Sequence, residues 1–224
     1  NYFENAALIL KSFELKPETE VYYSAKDIPF FYTISDSVLS RFKLFVWMNL
    51  LNEKEFQTNF DEFHLKNYSD KSSDLKILYE NLNVTEIWNA STISSVLNQI
   101  SYYTEMGMLS KKVAENILEE LANLIVEIEK KAEHDDAKFH IFAHELLILN
   151  NSLLFKNEEK ATLLVPYNMF GYMMTNDKET CDDALNFFQH QIKNSTPLSY
   201  SGQKDRKVFF NKMRERIEKL ANSL

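Results

Sequence analysis

The stretch "HDDAKFHIFAHELLILN", residues 134–150, decides how the whole chain is read, because its apolar residues fit a helix and carry two histidines on one side. At a helical period the core stripe is Phe139, Phe142, Ala143, Leu146, Asn150 and Leu153, which predicts a helix over 136–155. His140 and His144 then lie roughly 40° apart on one face, at the edge of that stripe. Both rings could reach one ion, but zinc needs at least three protein ligands, so a third would have to come from another helix. The metalloprotease pattern H-E-x-x-H fails here, since Ile141 follows His140. With 5 histidines in 224 residues, roughly one such sequence in eleven shows this spacing by chance. The expectation is therefore an edge or interface role for His140 and His144. Metal binding is the sharper alternative.

Outward from this stretch the same period recurs. Over 110–130 the apolar residues Val113, Ala114, Ile117, Leu118, Leu121, Leu124, Ile125 and Ile128 form a stripe, with Ser110 placed to cap and Gly107 just before it. Over 205–220 the stripe is Phe209, Phe210, Met213, Ile217 and Leu220. Further helices are predicted over 35–51, 72–82, 91–105 and 177–193, each opening with a Ser or Asp able to cap free backbone N–H groups. The β-branched and aromatic segment at 19–34 has room for one small β-hairpin. "ATLLVPYNMFGYMM", 161–174, reads as a kinked helix, two short ones, or a loop crossing the core, because Pro166 and Gly171 interrupt it. Only 3 glycines and 4 prolines leave little material for the many tight turns of an all-β architecture.

The expected fold is mainly α: one multi-helix domain over 1–224, of roughly eight to ten helices, with a basic C-terminal helix at 203–224 docked on the body. A chain that is 45% apolar and 13% aromatic can bury a substantial core. No apolar run is longer than that at residues 6–10, which is far short of the ~18 needed to span a membrane. The chain begins at Asn1 without methionine, which leaves room for a removed leader. The single cysteine, Cys181, forbids an intrachain disulfide and fits a reducing, cytoplasmic setting.

Several catalytic routes close. Gly107, Gly171 and Gly202 stand 64 and 31 residues apart, too far to build a phosphate-cradling loop. His190 lies nine residues from Cys181, half a turn out of phase on one helix, which separates thiol from base. There is no G-x-S-x-G elbow, no C-x-x-C pair and no E-x-x-H motif; Asp61 to His64 is a lone D-x-x-H. No cofactor is implied.

Charge is what remains. The formal net charge is −8, yet from residue 203 onward seven basic residues (Lys204, Arg206, Lys207, Lys212, Arg214, Arg216, Lys219) stand against three acidic ones (Asp205, Glu215, Glu218). The remainder is correspondingly more acidic. Such a body repels nucleic acid and anionic membranes and attracts a basic protein. The candidate partner-binding residues are Glu119, Glu120, Glu133, Asp135 and Asp136, with the tyrosine pair Tyr102 and Tyr103 suited to an interface. A third acidic cluster, Asp177, Glu179, Asp182 and Asp183, sits where a helix start favours negative charge. The expected function is a non-catalytic protein-binding module, inhibitor-like or of the immunity type, whose acidic face neutralises a basic partner. The alternatives are a metal-dependent hydrolase using His140 and His144, and a small-ligand sensor.

Overall fold

The centre of the molecule is a sheet, not a bundle. The computed structural model describes residues 18–25, 38–51, 60, 82–134, 138–146, 151–168, 171–200 and 203–224. In chain order these form β1 (Glu20–Ala25), α1 (Val38–Leu51), β2 (Asn83–Trp88), α2 (Ser94–Glu105), α3 (Lys111–Glu133), β3 (Phe139–Ala143), β4 (Leu153–Lys156), β5 (Ala161–Asn168), β6 (Gly171–Thr175), α4 (Lys178–Lys193), β7 (Thr196–Pro197) and α5 (Gln203–Ala221). The seven strands make one mixed sheet in the order β6-β5-β4-β1-β2-β3-β7. Strands β1, β2 and β3 run parallel, and the other pairings are antiparallel.

This overturns the mainly α expectation: among the described residues there are five helices beside a seven-stranded sheet, so the fold is α/β. The predicted helix over 136–155 is the decisive correction. Its residues supply β3 and β4, on opposite sides of the β1–β2 pair. Residues 139–143 alternate as strand residues must, with Ile141 fully buried on one face and His140 on the other. The segment at 161–174 forms neighbouring antiparallel strands, β5 and β6, with an irregularity between Pro166 and Asn168. The hairpin expected at 19–34 is corrected too. Residues 20–25 are a strand, but its partners are β2 and β4, and residues 26–34 fall outside the described set. The helix predicted over 72–82 lies there as well, apart from Leu82.

Strand alternation sorts the core into two layers. Val21, Tyr23 and Ala25 of β1, Val84 and Trp88 of β2, Ile141 of β3, Leu153 and Phe155 of β4 and Leu164 of β5 face one side, where α1, α2, α3 and α5 cover them. Both parallel crossovers step the same way across the sheet, and right-handed connections then bring their helices to a common face. Ile87, Leu154 and Leu163 face the other side beneath α4, where Phe188 packs on Tyr22 with ring centroids 5.9 Å apart. On the four-helix side Phe42, Phe45, Phe60 and Tyr103 form an edge-to-face cluster, and Trp88 packs on Phe209 and Phe210 of α5.

The helix that the sequence shows most clearly, α3, buries seven of the eight residues of its predicted stripe, all but Val113, and adds Ala132 near its end. Gly107 precedes it with φ +69°, the left-handed conformation that closes α2 and turns the chain into α3. Ile93, just before α2, holds φ 74° although it is β-branched and fully buried. Such a conformation costs about 1–3 kcal/mol and persists only where its surroundings impose it. Here Thr92 Oγ1 donates to Ala25 O (2.7 Å) and accepts from Asn89 N–H (3.1 Å), tying the turn to the end of β1.

Helix α5 runs back along α3. Its buried Phe210, Met213 and Ile217 join the four-helix core, Arg214 pairs with Glu129, and Arg216 donates to Ala90 O and Ser94 Oγ at the start of α2. Arg206 is only 3% exposed; its Nη1 donates to Leu198 O (3.1 Å) and Ala132 O (3.4 Å), and its Nη2 to Glu133 (3.4 Å). It thus caps the C-terminal turn of α3 from outside the helix. No helix among the described residues is long and apolar enough to cross a membrane.

Candidate functional site

The polar side of α3 follows from the same period as its apolar stripe. Asn116, Glu119, Glu120, Asn123 and Glu127 recur at helical spacing and, with Val38 at the start of α1, line an open groove of about 380 Å³. Two of these, Glu119 and Glu120, were singled out from the sequence; Val38, Asn116, Asn123 and Glu127 were not. The signal for the last three was available, because i, i+3, i+7 and i+11 from Asn116 trace one face of a helix.

Within the groove the carboxylates have different work. Glu120, half-buried, accepts the backbone N–H of Leu39 at 2.8 Å. That N–H is one of the orphan donors in the first turn of α1, so Glu120 caps a helix other than its own and places negative charge at its positive end. Glu119 and Glu127 are exposed. Replacing Glu120 by alanine is expected to lower stability by about 1–2 kcal/mol, read as a shift of the urea midpoint, while Glu119→Ala stays within about 0.5 kcal/mol. Equal effects at the two positions would show that the Leu39 bond contributes nothing.

The other predicted residues do not join this groove. Glu133 lies fourteen residues beyond Glu119, roughly 20 Å along the helix axis, and is engaged by Arg206. Asp135 and Asp136 fall outside the described residues. The acidic patch expected from Glu119, Glu120 and Glu133 is therefore divided, with the far end of α3 matched by basic residues of α5. The tyrosine pair is divided too. Tyr102 is 55% exposed, while Tyr103 is buried against Phe42 and Phe45, and burial raises its phenol pKa above the ordinary value. Tyr102 and Met106, one turn apart, form a small exposed apolar spot at the end of α2.

The histidines part company once 139–143 is a strand. Four residues along a strand span about 13 Å, and His144 lies past the end of β3. Its N–H donates to Trp88 O (2.8 Å), and its Nδ1 lies 3.0 Å from Leu146 N and 2.6 Å from Leu146 O. The ring of His140 sits 5.3 Å from that of Tyr200, and partial burial lowers its pKa. The shared-ion geometry rested on helical spacing, which these residues do not have. Among the described residues no three His, Cys, Asp or Glu side chains converge as a metal-ligand group.

Two buried polar features were missed from sequence. Glu86, fully buried in β2, accepts Trp88 Nε1–H at 2.7 Å, so a carboxylate and an indole share the helix-covered face of the central parallel strand. Ser24, Ser152 and Gln191 are each buried, and Ser24 Oγ, Ser152 Oγ and Gln191 Oε1 have no hydrogen-bond partner among the described residues. Ser24 and Ser152 each stand two residues from Tyr22 and Leu154 respectively, so both face the α4 side of the sheet. The chain matches no protein-family model, no curated protein and no solved structure.

Proposed function

We propose that the chain is a non-catalytic protein-binding module, inhibitor-like or of the immunity type, in which the groove of α3 receives a lysine or arginine side chain from a basic partner. The observation that carries this reading is the gathering of Glu119, Glu120 and Glu127 around one open groove on a body of net charge −8. Three carboxylates gathered on one helix face attract a cation more strongly than the same groups spread over the surface. The two asparagines add hydrogen-bond acceptors that suit an ammonium or guanidinium group. Tyr102, exposed on α2, is the aromatic residue available to the same partner. A reducing, cytoplasmic setting suits the reading, because the one cysteine, Cys181, is a buried thiol whose pKa burial pushes up.

The test is calorimetric titration with an arginine-rich peptide at about 50 mM and about 500 mM salt, for the wild type and for Glu119→Gln/Glu127→Gln. The expected result is affinity that falls at least tenfold in the variant and with salt, while circular dichroism is unchanged. Equal affinity in the two proteins would refute the groove as the binding site.

A second reading, small-ligand sensing, is favoured by the three unpartnered groups of Ser24, Ser152 and Gln191. Buried polar atoms are ordinarily hydrogen-bonded, and ones that are not suit a ligand bearing polar groups of its own. Parallel α/β sheets bind ligands at the carboxyl ends of their strands, and Ser24 stands one residue before the end of β1.

A further inference from the structure

The two edges of the sheet are built differently. One edge is β7, two residues long and ending in Pro197, which has no N–H to offer a neighbouring strand. The other is β6, five residues with no proline and no charge. Among the described residues its one sheet neighbour is β5. Met173 and Met174 point to opposite faces of the strand, yet are 55% and 56% exposed, so neither helical layer covers β6. A strand edge of this kind carries a row of unpaired N–H and C=O groups and is a template for another strand.

Charge narrows the choice of partner. Residues 161–175, the stretch that contains β5 and β6, include no Asp, Glu, Lys, Arg or His, in a chain that carries −8 overall. The edge strand itself carries no charge, so pairing it with its own equivalent sets no like charges directly opposite one another along the strand. A strand edge is also self-complementary about a two-fold axis, because antiparallel pairing of a strand with itself satisfies the same groups on both copies.

We propose that β6 pairs antiparallel with β6 of a second copy of this chain, joining two seven-stranded sheets across a two-fold axis, with Met173 and Met174 closing over the junction from either face. The contact is short, so the dimer is weak and depends on concentration.

The experiment is sedimentation velocity over about a hundredfold range of concentration, for the wild type and for Met173→Lys/Met174→Lys. The expected result is a wild-type mass that rises toward twice the monomer, and a variant that stays monomeric with unchanged circular dichroism. A wild type that is monomeric throughout, or a variant that still dimerises, overturns the proposal. Should the lysine variant fail to fold, Met173→Cys and Met174→Cys, oxidised separately, decide the matter. The proposed pairing sets its two-fold axis at Met173 or Met174, which brings that position close to its own copy and yields a cross-linked dimer; no cross-link at either position overturns it.

Discussion

Ile141→Ala is expected to lower stability by about 3–5 kcal/mol, whereas Leu146→Ala changes it by less than about 0.5 kcal/mol. Ile141 is fully buried between the sheet and the four-helix layer, so truncation opens a cavity among side chains anchored on rigid strands. Leu146 is 68% exposed beyond the end of β3 and loses little. A helix over 136–155 requires the reverse ranking, since it places Leu146 on the core stripe and Ile141 off it. Urea denaturation of the two variants distinguishes these outcomes directly. A costly Leu146 beside a tolerant Ile141 would restore the helix and remove the sheet's third parallel strand.

Arg206→Met is the second large effect, a loss of about 2–4 kcal/mol. Methionine keeps most of the apolar stem, so packing is nearly conserved. What disappears is the guanidinium that donates to Leu198 O and Ala132 O and pairs with Glu133, leaving those carbonyls without that donor. Arg206→Lys recovers only part of the loss, because an ammonium cannot reach the same acceptors in a fixed fork. Glu133→Gln is expected to cost less than about 1 kcal/mol, since that side chain is 44% exposed and water screens the ion pair. If Glu133→Gln and Arg206→Met cost the same, the ion pair and not the carbonyl contacts would account for the effect.

How far the fold was legible depended on how each element is buried. Helix α3 could be read almost to its ends, because a helix with one wet face must separate its apolar stripe from its charges. Strands β3, β4 and β5 lie between two layers or near them, so they show no clean alternation of apolar and polar residues. "FHIFA" nearly satisfies both periods: Phe139 and Ala143 belong to the helical stripe and to one face of the strand, and Ile141 and Phe142 separate the two readings. The scarcity of glycine and proline rightly spoke against an all-β fold. It could not exclude this sheet, whose parallel strands are joined through helices and need few tight turns. In the groove, Glu119 and Glu120 drew attention as adjacent charges, whereas Glu127 belongs with them only by helical phase. Glu86 was hidden because the sequence does not announce which face of β2 it occupies, nor that Trp88 would meet it there.

The order of the strands also governs how the molecule can be assembled. Strand β1 comes early in the chain yet lies at the middle of the sheet, with Tyr23 matched to Glu86 on one side and to Leu153 on the other. Its neighbours are thus separated from it by long stretches of chain, and the entropy of closing those loops is lost before the pairings return any energy. During synthesis the β1–β2 unit can form first, but its opposite flank stays open until residues near 153 leave the ribosome. Until then β1 is itself an edge, uncapped and apolar on one face. A sheet whose neighbouring strands lie this far apart in the chain is expected to fold slowly, and fragments that stop short of β4 are the ones expected to aggregate.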